Sequence, residues 1–235
     1  MSSPISKKRR TLLDSLLVKI HQRTSHASRI SRLTDSIDTL VRKLYGDAGE
    51  LHALDIGCGD MSISAGLSRR RPGLLFDAID IHDLPSHLQG NPIWNRYKKF
   101  DGVNIPFEDR VFSFGLMCDV LHHVPEAMRS HLLQEALRAC DILIIKDHFE
   151  NGWFSRHMLR AMDFVGNYGY GISVPKRYFT ESSLRELAKQ TDGILDVKER
   201  RIDLYSHFGV MGKFFNPEWQ FLGVIQKGVS IGRIS

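Results

Sequence analysis

The sequence predicts an α/β protein: a doubly wound, mostly parallel sheet of seven strands, with an N-terminal helical extension and an inserted lid. Three observations carry the prediction. Short apolar runs alternate with helical patterns from residue 51 onward, as in parallel strands joined by crossover helices. The first run, Leu51-His52-Ala53-Leu54-Asp55-Ile56, enters Gly57-Cys58-Gly59 at once. Glycines there let the backbone bend sharply and approach a ligand. Later runs end on polar residues, and ligands of open parallel sheets bind at the carboxyl ends of strands.

Taken in order, residues 1–10 end in Lys7-Lys8-Arg9-Arg10 and read as disordered. Leu12, Leu13, Leu16, Leu17 and Ile20 follow at helical spacing, then a polar break near 24–28. Ile30, Leu33, Ile37, Leu40, Val41 and Leu44 recur at steps of three and four, an amphipathic helix with a basic opposite face that Gly46 ends. Strands are expected at 51–56 and 74–79, the second ending at Asp80. A helix at about 61–70 lies between them, stopped by Pro72-Gly73. Residues 82–98 read as irregular. Phe100-Asp101 closes a third strand and 111–118 form a fourth. A helix at 125–139 opens with Pro125 in its first turn, and Ile142–Lys146 is strand five. Residues 150–180 read as an insertion rich in aromatics and glycines. A helix at 181–190, strand six at about 194–204 and strand seven at about 219–227 complete the chain. The division expected is an extension at 1–46 and a domain at 47–235, with 151–180 as lid.

Composition narrows the class. The chain has 235 residues, 42% hydrophobic and 25% charged, ordinary for a soluble domain with a well-buried core. No run of 18 apolar residues occurs, so no membrane span is expected, and the basic N-terminus lacks a secretory signal pattern. Cys58, Cys118 and Cys140 lack metal-type spacing and read as reduced thiols of a cytoplasmic protein. No metal is expected. Ten Lys/Arg against three Asp give residues 1–46 a charge of +7; the total is +5, so the remainder is about −2. The basic character belongs to the extension, which argues against a nucleic-acid channel through the domain. The helices of residues 7–44 either cover the domain or rest on an anionic membrane surface.

Two ligands compete for the Gly57–Gly59 turn. A dinucleotide would want a third glycine at position 62, which is Ser62. The other reading is an S-adenosylmethionine site, in which an acidic residue, here Asp55, precedes the first glycine. Asp80 stands 21 residues after Gly59, placed to accept hydrogen bonds from both ribose hydroxyls of an adenosine ligand. Asp101 ends the third strand, where a carboxylate can accept from an adenine amino group.

Four segments then carry a resemblance. Leu54-Asp55-Ile56-Gly57-Cys58-Gly59-Asp60, Phe76-Asp77-Ala78-Ile79-Asp80, Asp101-Gly102 with Ile105-Pro106-Phe107-Glu108-Asp109, and Phe112 through Asp119-Val120-Leu121-His122-His123-Val124 follow one another across residues 51–124. In order and spacing the chain resembles the class I S-adenosylmethionine-dependent methyltransferases, particularly those that modify small molecules. The resemblance implies a Rossmann-like sheet of order 3-2-1-4-5-7-6 with strand seven antiparallel. It implies S-adenosyl-L-methionine as cofactor, with Asp55, Gly57 and Gly59 along its methionine moiety, Asp80 on the ribose, Asp101 at the adenine edge and Asp119 near the methionine portion. One position departs from the family pattern: Met61 stands where a further glycine is frequent, and its side chain must narrow the pocket or turn outward.

The acceptor half is read from residue chemistry. Strand five runs out into Lys146-Asp147-His148-Phe149-Glu150, facing the same crevice. His148 can take a proton from an acceptor hydroxyl or amine, Asp147 can orient it or hold the acceptor, and His123 is a second candidate base. Trp153, Phe154, Tyr168, Tyr170 and Tyr178 among Gly152, Gly166, Gly169 and Gly171 suit a lid over an apolar acceptor. Met158, Met162 and Phe164 fit a helix core stripe instead. No Pro-Pro-Tyr segment follows strand four, which disfavours an exocyclic nucleic-acid or glutamine amine. The expected activity is O- or C-methylation of a small molecule, or of a lipid or glycan precursor. The alternative is a cofactor-binding scaffold without turnover.

Overall fold

The computed structural model describes residues 27–47, 49–84, 95–166, 174–204 and 216–228. Helix α1 covers residues 27–45. It is followed by β1 (Leu51–Ile56), α2 (Ser62–Arg70), β2 (Leu74–Asp80), β3 (Tyr97–Lys99) and β4 (Phe112–Cys118). Then come a short 3-10 turn (Leu121–His123), α3 (Glu126–Ala139), β5 (Cys140–His148), α4 (Trp153–Gly166), α5 (Glu181–Gln190), β6 (Gly193–Arg200) and β7 (Gln220–Lys227). The seven strands form one sheet in the order β3-β2-β1-β4-β5-β7-β6. β1 pairs in parallel with β2 and β4, and β4 with β5, whereas β7 runs antiparallel to β5 and β6. Strand order reverses between β1 and β4, so the carboxyl ends of these two strands flank the crevice.

Side chains alternate across the sheet, and each face is covered. Leu54, Leu143, Ile145, Phe221 and Ile225 pack with Leu133, Leu137 and Leu184 from α3 and α5. Ala53, Phe114, Ile144, Leu222 and Val224 face the other way, against Leu67 of α2 and Leu33, Ile37, Leu40 and Val41 of α1. The apolar stripe read in residues 30–41 is thereby spent on the sheet, and only Leu44 at its end is exposed. Gly46, at φ +74°, donates to Arg42 O at 2.8 Å and stops the helix. The helical pattern at 12–20 lies outside the described residues. No described helix is long and apolar enough to cross a membrane.

Four expectations are corrected. Strand five was read as ending at Lys146, but β5 continues through His148, because antiparallel pairing with β7 carries the ladder to Asp147↔Phe221 and His148↔Gln220. The third strand ends at Lys99, two residues before Asp101. Pro125 is the N-cap of α3, one place before its first turn. Residues 153–166 are a regular helix, with Met158, Leu159 and Met162 against Tyr178 and Trp219. Phe164 does not join that stripe and is 58% exposed.

Candidate functional site

The turn after β1 is built from backbone. Gly57 and Cys58 donate their N–H groups to Ile79 O at 2.8 and 3.2 Å, tying the turn to β2. Gly57 has φ +71°, and a Cβ there would lie 2.6 Å from Val120 Cγ2, so no other residue fits without displacing the β4 loop. Gly59, at φ +55°, faces open space and donates its N–H to Asp80 Oδ2 at 2.9 Å. His82 N–H donates to Asp80 Oδ1 at 3.0 Å. Both oxygens of Asp80 are thus aimed by main chain, and each keeps a lone pair for a ligand.

Asp55 is buried beneath this turn. Burial pushes its carboxyl up to about 7; a hydrogen bond from Ser64 works the other way, and the nearby carboxylates Asp80 and Asp60 raise it further. Met61 adopts the left-handed conformation itself (φ +57°) as N-cap of α2 and is 2% exposed. Its side chain therefore does not turn out into solvent, and the conformation carries a strain of about 1–2 kcal/mol that glycine would avoid. Asp101 is exposed and closes on its own loop. Its Oδ1 accepts from the N–H groups of Val103 (2.8 Å) and Asn104 (2.7 Å), and its Oδ2 from Asn104 Nδ2 (2.7 Å).

At the carboxyl ends of β4 and β5 the construction is different. Asp119, at φ +56°, receives Lys146 Nζ on both oxygens, at 2.6 and 2.8 Å. His148 Nδ1 lies 3.3 Å and Arg29 3.6 Å from the same carboxylate. Burial alone would raise the Asp119 carboxyl, but Lys146, His148 and Arg29 outweigh it and hold it well below the usual range. Asp147, completely buried, accepts from His122 Nδ1 at 2.5 Å and from His148 N–H at 2.7 Å. His122 Nε2 faces Asp163 Oδ2 of α4 at 3.4 Å, and Tyr178 OH donates to that oxygen at 2.5 Å. Burial opposes a charge on His122, yet Asp147 and Asp163 push its pKa up to about 10. His148 moves the other way: burial and Lys146 lower it, so its imidazole is neutral at physiological pH.

Of the three expected acceptor-side residues, His148 and Asp147 meet in this cluster. His123 lies behind, half-buried, with its ring 4.1 Å from that of His122. Reading the residues overlooked His122, Lys146 and Asp163. A signal for one of them was present, since a lysine inside a buried strand, Lys146, must find a partner. Glu150 fastens α4: it accepts from Arg156 of that helix at 2.9 and 3.1 Å and from Tyr178 N–H at 3.0 Å.

Sequence comparison finds a likeness in the part of the chain that builds this arrangement. Residues 54–141 match the family model described as a methyltransferase domain. Over this stretch, 88 of the 235 residues, the chain is similar to methyltransferases. No curated protein sequence matches it. Solved structures share its fold at low identity. Magnesium protoporphyrin IX methyltransferase from Synechocystis PCC 6803, with bound S-adenosylhomocysteine, is 16% identical with a TM-score of 0.56, covering 90% of this chain and 87% of its own. The 1,6-didemethyltoxoflavin-N1-methyltransferase of Burkholderia thailandensis, with 1,6-didemethyltoxoflavin and S-adenosylhomocysteine bound, is 16% identical with a TM-score of 0.58, covering 97% and 91%. A methyltransferase from Aquifex aeolicus is 16% identical at a TM-score of 0.53, covering 80% and 88%. A methyltransferase domain implies S-adenosyl-L-methionine as cofactor, and the crevice fits it. Gly59 leaves open space at the turn, Asp80 presents two aimed acceptors, and Asp55 is a buried carboxylate beside them.

Proposed function

We propose that this protein transfers the methyl group of S-adenosylmethionine to a hydroxyl of a small molecule, with His148 as general base. The observation that carries the reading is a neutral, 95% buried imidazole at the carboxyl end of β5, beside the ion pair of Lys146 and Asp119. The cofactor supplies an electrophilic methyl on a sulfonium. A hydroxyl acceptor must lose its proton as that bond forms, and a buried neutral imidazole can accept it. Asp119 and Asp147, at 3.3 and 3.5 Å from Nδ1, orient the His148 ring, and the remaining rate comes from holding the reactants in line and excluding water. Asp55, Gly57 and Gly59 would line the methionine end of the cofactor, Asp80 its ribose and Asp101 the adenine edge. Asp119, already paired with Lys146, would stand near the methionine portion. The acceptor would enter between His148 and residues 151–178. The names of the neighbouring folds, magnesium protoporphyrin IX methyltransferase and 1,6-didemethyltoxoflavin-N1-methyltransferase, support a small-molecule acceptor; a hydroxyl of a lipid or glycan precursor would use the same chemistry.

A cofactor-binding scaffold without turnover has Met61 as its supporting observation, because a strained, buried methionine replaces a residue that would leave room. Calorimetry with S-adenosylhomocysteine, run beside methyl transfer from labelled cofactor to a panel of hydroxylated small molecules, separates the two. Binding with transfer is expected; binding with no transfer to any acceptor supports the scaffold. With an acceptor in hand, His148→Ala is expected to lower turnover at least tenfold with cofactor affinity unchanged. Equal turnover from pH 6 to 9 removes His148 from the mechanism.

A further inference from the structure

His122 is fully buried, yet both of its ring nitrogens face carboxylates: Nδ1 lies 2.5 Å from Asp147 on β5, and Nε2 lies 3.4 Å from Asp163 on α4. A neutral imidazole would turn a lone pair toward one of those oxygens; the doubly protonated ring presents an N–H to both, as a hydrogen bond to Asp147 and, at 3.4 Å, as an ion-pair contact with Asp163. The same side chains have the spacing of a cation site, since donor atoms of His122, Asp147 and His148 lie within 4.8 Å of one another. The 2.5 Å contact argues against an ion. Two ligands of one tetrahedral zinc, each about 2.0–2.1 Å from the metal, stand about 3.3 Å apart. The observed contact is that of a shared proton.

We propose that His122, as a buried imidazolium, is a positioning residue for the transfer: it ties the lid helix α4 to the strand that carries His148, and its charge keeps His148 neutral. The second half rests on the reading of His148 as base; the first does not. Each charged group facing His148 can be named. Lys146 and Asp147 come from β5, Asp119 from the end of β4, and His122 from the turn before α3, its ring 5.5 Å away. Asp163 of α4 reaches the cluster through His122, and Arg29 of α1 through Asp119. The Tyr178 ring closes the remaining side at 6.1 Å. Lys146 is neutralised by Asp119, and Asp147 by His122. Without the His122 charge, Asp147 is left to draw a proton onto His148, and the base is lost.

The test is nitrogen-15 NMR of the full chain labelled at histidine, alone and with S-adenosylhomocysteine, with resonances assigned through His122→Gln and His148→Gln. Both nitrogens of His122 are expected to be protonated up to pH 8, while His148 is neutral at pH 7.5. In His122→Gln the midpoint of His148 is expected to rise by about one unit or more, the size of effect a near charge has in a buried site. Hydrogen exchange reads the tie: Asp163→Asn should speed exchange of α4 amides at least tenfold, with affinity for S-adenosylhomocysteine within twofold of the parent. A neutral His122 at pH 7.5 overturns the proposal even if His122→Gln does not fold. So does unchanged α4 exchange in Asp163→Asn, or a His122 resonance that moves with added zinc and returns with chelator. Failure of the proposed function looks different: no transfer to any hydroxyl acceptor, with His122 still protonated and α4 still protected.

Discussion

The two halves of the crevice are built on opposite plans. Around the cofactor turn, the groups that matter lie within Asp55–Asp60 plus Asp80, and main-chain N–H groups of Gly59 and His82 do the aiming. Charge there is unbalanced: Asp55 has Asp80 and Asp60 as its charged neighbours, and its carboxyl rises accordingly. Across the crevice, Arg29, Asp119, His122, Lys146, Asp147, His148 and Asp163 come from five separate segments and compensate one another through side chains. The first half is an anionic cradle that gains when a cationic ligand arrives. The second half is internally neutralised and holds its shape before any acceptor binds. One half stores affinity for a ligand; the other stores stability.

The sharpest way to break this comparison is Lys146→Met. It leaves Asp119 as a buried carboxylate with weaker partners, which costs about 3–5 kcal/mol. A denaturant titration should show it, and Lys146→Met/Asp119→Asn should recover at least half. A loss within about 1 kcal/mol would mean that the acceptor half is not held by its charges. Next in size is Asp80→Ala, expected to weaken S-adenosylhomocysteine binding by about 1.5–3 kcal/mol, the value of hydrogen bonds to a charged group. Affinity equal to the parent by calorimetry would remove the ribose assignment.

Asp55→Asn tests the claim that the cradle is unbalanced. The folded carboxyl titrates at about 7, above its ordinary 3.8, so the folded state holds a proton that the unfolded state has already released. Stability therefore falls as pH rises from about 4 to 7 and stays reduced above that. The variant escapes this loss and should be more stable than the parent by on the order of 2 kcal/mol at pH 8, with the advantage gone at pH 4. Its affinity for the cofactor product should fall. A variant less stable than the parent at pH 8 would show that Asp55 is already compensated. The smallest effect is expected for Arg29→Gln. This half-buried arginine stands 3.6 Å from Asp119, and its loss should cost no more than about 1 kcal/mol. A larger change in thermal midpoint would make α1 a principal support of the acceptor half.

The fold and the cofactor half were legible because their determinants are local. The strand-then-glycine pattern of Leu51–Gly59 occupies nine residues, and the need for positive φ at Gly57 and Gly59 is met by residue type. Short apolar runs placed β1, β2 and β4 to within about a residue. Asp80 could be read at its strand end for the same reason.

The acceptor half resisted reading because its members gain meaning only as pairs. Adjacent histidines look alike in sequence, yet His122 is buried between two carboxylates while His123 stays half-buried behind it. The end of β5 was misplaced because what extends it is β7, more than seventy residues later. Sequence by itself determined the parallel sheet, the glycine turn and the carboxylates at the strand ends, since backbone conformation and hydrophobic periodicity act over a few neighbouring residues. Tertiary structure alone decided which histidine stands between two carboxylates and which beside Lys146, and that Lys146 and Asp163 join the cluster. Electrostatics in a desolvated cluster depends on distances of a few ångströms between segments far apart in the chain.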